Sequence, residues 1–229
     1  MNIGAVIPAA GQGRRMQSSI NKQFLELDNK PLLAHTIDKF YNNPKIEQII
    51  VVVRSTERDY CQKNVLDKYG FTDVKLVAGG KTRKESVYAG LMAFSPAINY
   101  VIIHDGARPF LSNKVLNKVI TAMKKYPAIT TGVNVKDTIK VKSRNLEVAK
   151  TLDREKLIAV QTPQAFLYEL IVEAHKKWRG TTKATDDASL VENLEQKVKI
   201  IKGDYKNIKI TTPVDLLYAE AIIEKQKYN

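Results

Sequence analysis

QIIVVV, residues 48–53, carries no polar side chain after Gln48. A strand with one face in water alternates apolar and polar residues, and a strand covered on both faces does not. This run therefore belongs inside a sheet with helices on either side. Upstream, residues 31–40 set Leu32, Leu33, Ile37 and Phe40 at helical spacing, with Pro31 in the first-turn position that proline favours. Downstream, residues 56–69 read as a helix closed by Gly70. The alternation continues both ways. Residues 3–8 are a short apolar run ending in a glycine-rich loop, 74–77 a short strand, 84–94 a helix, 100–103 (YVII) a second buried strand, 113–125 a helix and 129–133 a strand. Such alternation predicts an α/β fold with a doubly wound, mostly parallel sheet. Right-handed crossovers place the strand C-termini along one edge, where sheets of this kind bind ligands. The loops after Pro8, Val77 and Ile103 are therefore expected to meet in one crevice.

Residues 135–156 break the pattern. Apolar and polar residues alternate there around a turn at Ser143-Arg144-Asn145, which predicts a two-stranded hairpin protruding from the sheet. A lone hairpin is marginal in water, so it is expected to pack on something, most simply a second copy of the chain. Helical patterning resumes at residues 166–178 and 187–193, residues 198–201 and 208–210 read as short strands, and a last helix begins at Pro213. No repeat or low-complexity linker divides the chain, so residues 1–229 are expected to form one domain with the arm inserted.

The charge balance is +13. Nucleic acid is one partner class for so basic a chain, but the lysines are spread throughout and never form a basic run. Solvated helix faces and a pocket for small polyanions fit that spread better, so neither nucleic acid nor a membrane is expected as a partner. The single cysteine, Cys61, cannot close an internal disulfide, and three histidines beside it make a zinc cage improbable. The apolar N-terminal stretch is far too short to span a bilayer and no charged segment precedes it. A cytoplasmic location is expected.

Four constellations can carry chemistry. In the first, Pro8-Ala9-Ala10-Gly11-Gln12-Gly13-Arg14-Arg15 and then Lys22, small residues let successive backbone N–H groups approach an anion, with side-chain charge added by Arg15 and Lys22. The dinucleotide fingerprint G-x-G-x-x-G fails here because Met16 stands at its third glycine. The second, residues 78–86, contains Gly80-Lys81-Thr82, but a P-loop needs glycine where Lys75 stands. Gly79-Gly80 offers instead a flat backbone for a base, and Ser86 a hydroxyl for its edge; a plain turn before a helix is the competing reading. The third, residues 104–109, ends a buried strand. Asp105 there can hold a ribose hydroxyl or a hydrated Mg²⁺, Arg108 suits a phosphate, and His104 reads as a hydrogen-bonded core histidine. The fourth is dispersed: Thr138, Lys140, Arg154, Thr185-Asp186-Asp187 and Lys209 are each ordinary surface residues alone, and together a possible second phosphate site.

These motifs, PAAGQGRRM with Lys22-Gln23, AGGKTRKESV, HDGARPF, VKDTIK, LDREKLIAVQTPQAF, TDDASLVE and NIKITTPVDL, resemble in order those of the 2-C-methyl-D-erythritol 4-phosphate cytidylyltransferases, over nearly the full chain. The resemblance implies a Rossmann-like nucleotidyltransferase sheet, a homodimer clasped by the hairpin arm, and CTP and a sugar-alcohol phosphate as substrates in the non-mevalonate isoprenoid pathway. It implies cytosine contacts at Ala9, Ala10, Gly80 and Ser86, and ribose contacts at Pro8, Gly11, Asp105 and Gly106. The backbone of Gly11, Gln12, Gly13 and Arg14, with Arg15 and Lys22, would cradle the triphosphate. Asp105, Arg108, Thr185 and Lys209 would hold the acceptor, completed by Thr138 and Arg154 from a partner subunit. Arg15, Lys22 and Lys209 are the catalytic residues implied, with Mg²⁺ as cofactor, held mainly by CTP phosphates rather than by protein ligands. Asn21 stands where the family often has proline, and Lys81 where some relatives carry aspartate. Ribitol-5-phosphate cytidylyltransferases of teichoic acid synthesis are the neighbouring group; Ala107 in HDGARP favours methylerythritol phosphate over it.

Overall fold

The computed structural model describes residues 1–11, 21–178 and 184–227. The chain opens with β1 (Ile3–Pro8), a 3₁₀ turn (Lys22–Phe24) and the short pair β2 (Glu26–Leu27) and β3 (Lys30–Pro31), followed by α1 (Leu32–Tyr41). Next come β4 (Ile46–Val53), α2 (Arg58–Cys61) with a π-helical continuation (Gln62–Asp67), β5 (Val74–Ala78) and α3 (Arg83–Leu91). Then follow β6 (Tyr100–Ile103), α4 (Asn113–Met123), β7 (Ala128–Asn134), the hairpin strands β8 (Lys140–Lys142) and β9 (Val148–Thr151), and β10 (Ile158–Leu167). The chain closes with α5 (Tyr168–Lys177), α6 (Ala188–Glu192), β11 (Lys199–Lys202) and α7 (Pro213–Lys227).

Seven strands form one sheet in the order β11-β7-β10-β6-β1-β4-β5. All pairings are parallel except those of β10, which runs antiparallel to both β6 and β7. The sheet is covered on both sides, and the consecutive residues of QIIVVV divide between the two. Ile49, Val51 and Val53 join Leu33, Ile37 and Phe40 of α1 and Leu116 and Val119 of α4. Ile50 and Val52 join Val87 and Leu91 of α3 and Ile171 of α5. Burying each such side chain contributes about 1.5–3 kcal/mol, so neither face can be opened cheaply. At Gly90 a Cβ would stand 2.7 Å from Val6 Cγ1 and 2.9 Å from Val52 Cγ2, so α3 lies against the sheet at a distance only glycine permits there. A third, smaller cluster joins Leu27, Leu32, Phe110, Ile210 and Ala219, and packs α7 against β2, the start of α1 and Phe110.

Two parts differ from the sequence expectation. Residues 158–167 are the antiparallel strand β10, where helix was expected from residue 166. Its buried positions include Gln161, Thr162 and Gln164, polar residues that give no apolar strand pattern, and Pro163 interrupts the ladder, with a register shift between Gln161 and Ala165. Residues 208–210 are not a strand: the Ile210 N–H donates singly to the Ala107 carbonyl (2.9 Å) and its side chain enters the third cluster. The hairpin forms, with Lys140 opposite Thr151 and a register shift next to Lys142. Every residue of β8 and β9 is exposed, and Leu146 at the tip is 78% exposed.

Candidate active site

Because β1, β5 and β6 run parallel, their C-terminal loops leave the same edge of the sheet. These loops line one cavity of about 270 Å³ that contains Pro8, Ala9, Ala10, Gly11, Gly80, Ser86, Asp105 and Gly106. Among the described residues, five basic side chains, Lys22, Arg54, Lys81, Arg83 and Lys209, line it together with the one carboxylate of Asp105. Local chemistry fixes the walls. The buried Gln23 side chain donates to the Ala9 carbonyl and to Glu57, and Asn21 donates to the same Glu57 carboxylate at 2.7 Å. At Gly79 a Cβ would lie 2.6 Å from Ala10 Cβ and 2.8 Å from Ser86 Oγ, so the first two loops touch through that glycine. Thr82 caps α3 by accepting the Glu85 N–H (3.1 Å), while the Glu85 carboxylate accepts the N–H of Lys81, the residue before the cap (2.7 Å). The Ser86 hydroxyl donates to the Thr82 carbonyl at 2.9 Å.

A second cavity of about 440 Å³ adjoins the first and is lined by Arg83, Asp105, Arg108, Gln161, Thr162, Gln164, Thr185, Asp186 and Lys209, among others. Asp105, Arg83 and Lys209 line both. Asp105 is the hub of this dividing wall. Lys209 Nζ lies 2.9 Å and Arg108 Nε 3.5 Å from its Oδ2, and Arg83 Nε lies 3.3 Å from its Oδ1. Burial alone would raise the Asp105 carboxyl, but Arg83, Lys209 and Arg108, in that order, outweigh it and hold it far below the usual carboxylate range. Arg108 is tied by Nη1 to the Asn207 carbonyl (2.8 Å), and Asn207 donates to the Thr162 carbonyl (2.7 Å). Thr162 Oγ1 accepts the Asp105 N–H (3.0 Å), so β10 is the polar bed under the hub.

The structure thus brings Pro8, Ala9, Ala10, Gly11, Lys22, Gly80, Ser86, Asp105, Gly106 and Lys209 to one cavity, and Arg108 and Thr185 to its neighbour. Lys22 Nζ donates to the Ile210 carbonyl at 3.2 Å, beside Lys209. Gln12, Gly13, Arg14 and Arg15 lie outside the described residues. Thr138 and Arg154 line neither cavity; both are exposed on the arm, where Arg154 donates to the Lys136 carbonyl (3.1 Å). His104 is fully buried, with Nε2 3.0 Å from the Arg108 carbonyl and Nδ1 3.2 Å from Thr162 Oγ1, as a core histidine should be. Cys61 is fully buried and its thiol is pushed up to about 12, first by burial and then by Glu57. It holds no thiolate for chemistry at neutral pH.

A family model, IspD: 2-C-methyl-D-erythritol 4-phosphate cytidylyltransferase, matches residues 3–225. The chain belongs to the 2-C-methyl-D-erythritol 4-phosphate cytidylyltransferase family. A Clostridioides difficile protein of that name is 44% identical over 223 residues, covering 97% of this chain and 94% of its own length. One from Clostridium beijerinckii is 46% identical, covering 97% and 98%. The crystal structure of 4-diphosphocytidyl-2C-methyl-D-erythritol synthase from Anaerococcus prevotii superposes with a TM-score of 0.86 at 36% identity, covering 97% of this chain and 96% of that one.

For a cytidylyltransferase, the least visible residues in the sequence are Arg83, Arg54 and Gln23. The sequence pattern assigns Arg83 no role of its own, and its buried partner Asp187, whose carboxylate lies 2.8 Å from Arg83 Nη1, reveals its place. A divalent ion can be tested against the donor set. Among the described residues no group of three His, Cys, Asp or Glu side chains could hold one. Among the described residues Asp105 is the one carboxylate that lines the first cavity, and both its oxygens already face cations. Mg²⁺ usually keeps several waters and binds one or two carboxylates plus substrate phosphates. The crevice fits an ion carried by the nucleotide's phosphates, with Asp105 as its one protein ligand at most.

Proposed function

We propose that this cytidylyltransferase transfers CMP from CTP to 2-C-methyl-D-erythritol 4-phosphate, yielding CDP-methylerythritol and pyrophosphate in the non-mevalonate isoprenoid pathway. The observation that carries this reading is the pair of adjoining cavities sharing one wall of Arg83, Asp105 and Lys209. Cytosine rests against Ala9, Ala10, Gly80 and Ser86, and ribose against Pro8, Gly11, Asp105 and Gly106. The triphosphate follows the backbone of Gly11 to Arg14 with Arg15 and Lys22. The acceptor takes the second cavity, at Arg108, Thr185, Asp105 and Lys209. Thr138 and Arg154 are exposed on an arm that lacks a core of its own, which supports a homodimer in which a partner's arm supplies them. We further propose one domain spanning residues 1–229 and a cytoplasmic location, consistent with a chain in which no described helix is long and apolar enough to cross a membrane.

An oxygen of the acceptor's phosphate monoester attacks the α-phosphorus of CTP, and the bond from that phosphorus to the bridging oxygen breaks, releasing pyrophosphate. The nucleophile's second pKa is about 6, so it is mostly dianionic at neutral pH and needs no general base. The obstacle is repulsion, about 4 kcal/mol for each pair of like unit charges 4 Å apart at an effective dielectric near 20. Lys22, Arg15 and Lys209 position the two anions and neutralise them. Bound with those phosphates, Mg²⁺ would supply further neutralisation of the leaving group's charge. The test is pyrophosphate release with CTP and each of two acceptors. Methylerythritol phosphate is expected to turn over at least about tenfold faster than ribitol 5-phosphate. Equal rates, or preference for ribitol phosphate, would overturn the acceptor assignment.

A further inference from the structure

The dividing wall holds three cations on one carboxylate, and they are not equally free to leave it. The Lys209 side chain is 38% exposed, and among the described residues Asp105 is the one ion-pair partner of its Nζ. Arg83 is anchored at its far end: Nη1 lies 2.8 Å from Asp187 Oδ2, and Asp187 is 1% exposed. Asp187 is itself wedged, with His175 Nε2 3.7 Å from its Oδ1 and its own N–H donated to Gln164 Oε1 (3.0 Å) on β10. His175 stacks on Tyr88 of α3, five residues further along the helix that carries Arg83. When anionic substrates enter, Lys209 can swing to a phosphate, while Arg83 cannot follow without unpairing a buried carboxylate, which is costly.

We propose that Arg83 and Asp187 are a positioning pair that fixes Asp105 as the reader of a ribose hydroxyl of the bound nucleotide, and so set the preference for a ribonucleotide over its deoxy analogues. The inference rests on the first cavity being the nucleotide site. Asp105 ends β6 beside Gly106 in that cavity, and a carboxylate held ionised can only accept, so it distinguishes a hydroxyl from a hydrogen at the same place. Released from Arg83, the same carboxylate would turn toward Lys209 and Arg108 and lose that register. Neither Arg83 nor Asp187 needs to touch the reacting phosphorus.

The test is calorimetric binding of CTP, 2′-deoxy-CTP and 3′-deoxy-CTP to the full chain and to two variants, with thermal melting of each. The wild-type chain is expected to favour CTP over one analogue by about tenfold or more, the worth of one hydrogen bond to a charged group. Asp187→Asn keeps the shape and removes the tether. It is expected to weaken CTP by about tenfold and leave that analogue within about twofold, so the preference collapses. Arg83→Lys keeps a cation opposite Asp187 should Asp187→Asn fold poorly, and is expected to collapse the preference likewise. Parallel weakening of CTP and both analogues, with the preference intact in either folded variant, would overturn the proposal. So would a wild-type chain that binds all three equally. A chain that prefers CTP but releases no pyrophosphate would defeat the proposed reaction while leaving this inference standing.

Discussion

At residue scale the site is built from groups whose charge the fold has settled in advance. His104 illustrates the cost. Burial, as the largest cause, pushes its imidazole down to about 4, although the Arg108 carbonyl and the neighbouring Asp105 act in the opposite sense. Its folded value lies below its unfolded value near 6.5. Between those two the unfolded chain takes up a proton that the native state refuses, so stability present above pH 6.5 is lost as pH falls toward 4. The slope is about 1.4 kcal/mol per pH unit for one such group. His35 is lowered too, mainly by burial, and adds to the same window. Asp105 and Asp187 are depressed carboxylates; what they contribute is present above their ordinary value near 4 and fades only below it. Denaturant unfolding between pH 7 and pH 5 is therefore expected to be less pH-dependent in His104→Gln than in the wild-type chain. Equal slopes would show that His104 is not the group that titrates. His104 was legible in the sequence because a histidine ending a buried run has little choice but a structural role. Arg83 was not, since nothing adjacent to it announces the buried carboxylate of Asp187.

At the scale of elements, legibility followed hydrophobicity. QIIVVV and YVII read as buried strands because both faces are apolar, and the structure divides their side chains between two cores. β10 escaped notice because its inward positions are occupied by Gln161, Thr162 and Gln164, which spend their polar groups on Asp204, Asp105 and the N-terminus of α6. Residues 208–210 misled in the other direction: apolar alternation was present, but without a neighbouring strand it only docks Ile210 under α7. The arm was legible from its alternation alone, because β8 and β9 pair locally and need nothing else to be recognised. Its exposed Val141, Leu146 and Val148 are the argument for a second chain. Replacing residues 135–156 by a short glycine-serine linker is expected to halve the mass measured by light scattering and to abolish turnover, with the melting temperature of the sheet nearly kept. A monomer of normal activity would contradict the shared site.

Over the whole molecule, the +13 charge is spread widely, yet the fold concentrates five basic side chains around one carboxylate at the C-terminal edge of the sheet. Lys22 and Lys209 come from opposite ends of the chain and meet there, Lys22 Nζ donating to the carbonyl of Ile210 at 3.2 Å. In the proposed reaction that convergence lets two anions approach without a general base, and the parallel strands bring the loops to the edge where it occurs. Gln12, Gly13, Arg14 and Arg15 lie outside the described residues, so Lys22 is where the claim is most directly tested. The decisive measurement is the steady-state rate of pyrophosphate release by Lys22→Ala at saturating CTP and methylerythritol phosphate, alongside its melting temperature. The account predicts that kcat falls by more than about tenfold while the fold stays intact; turnover close to that of the wild-type chain would contradict it.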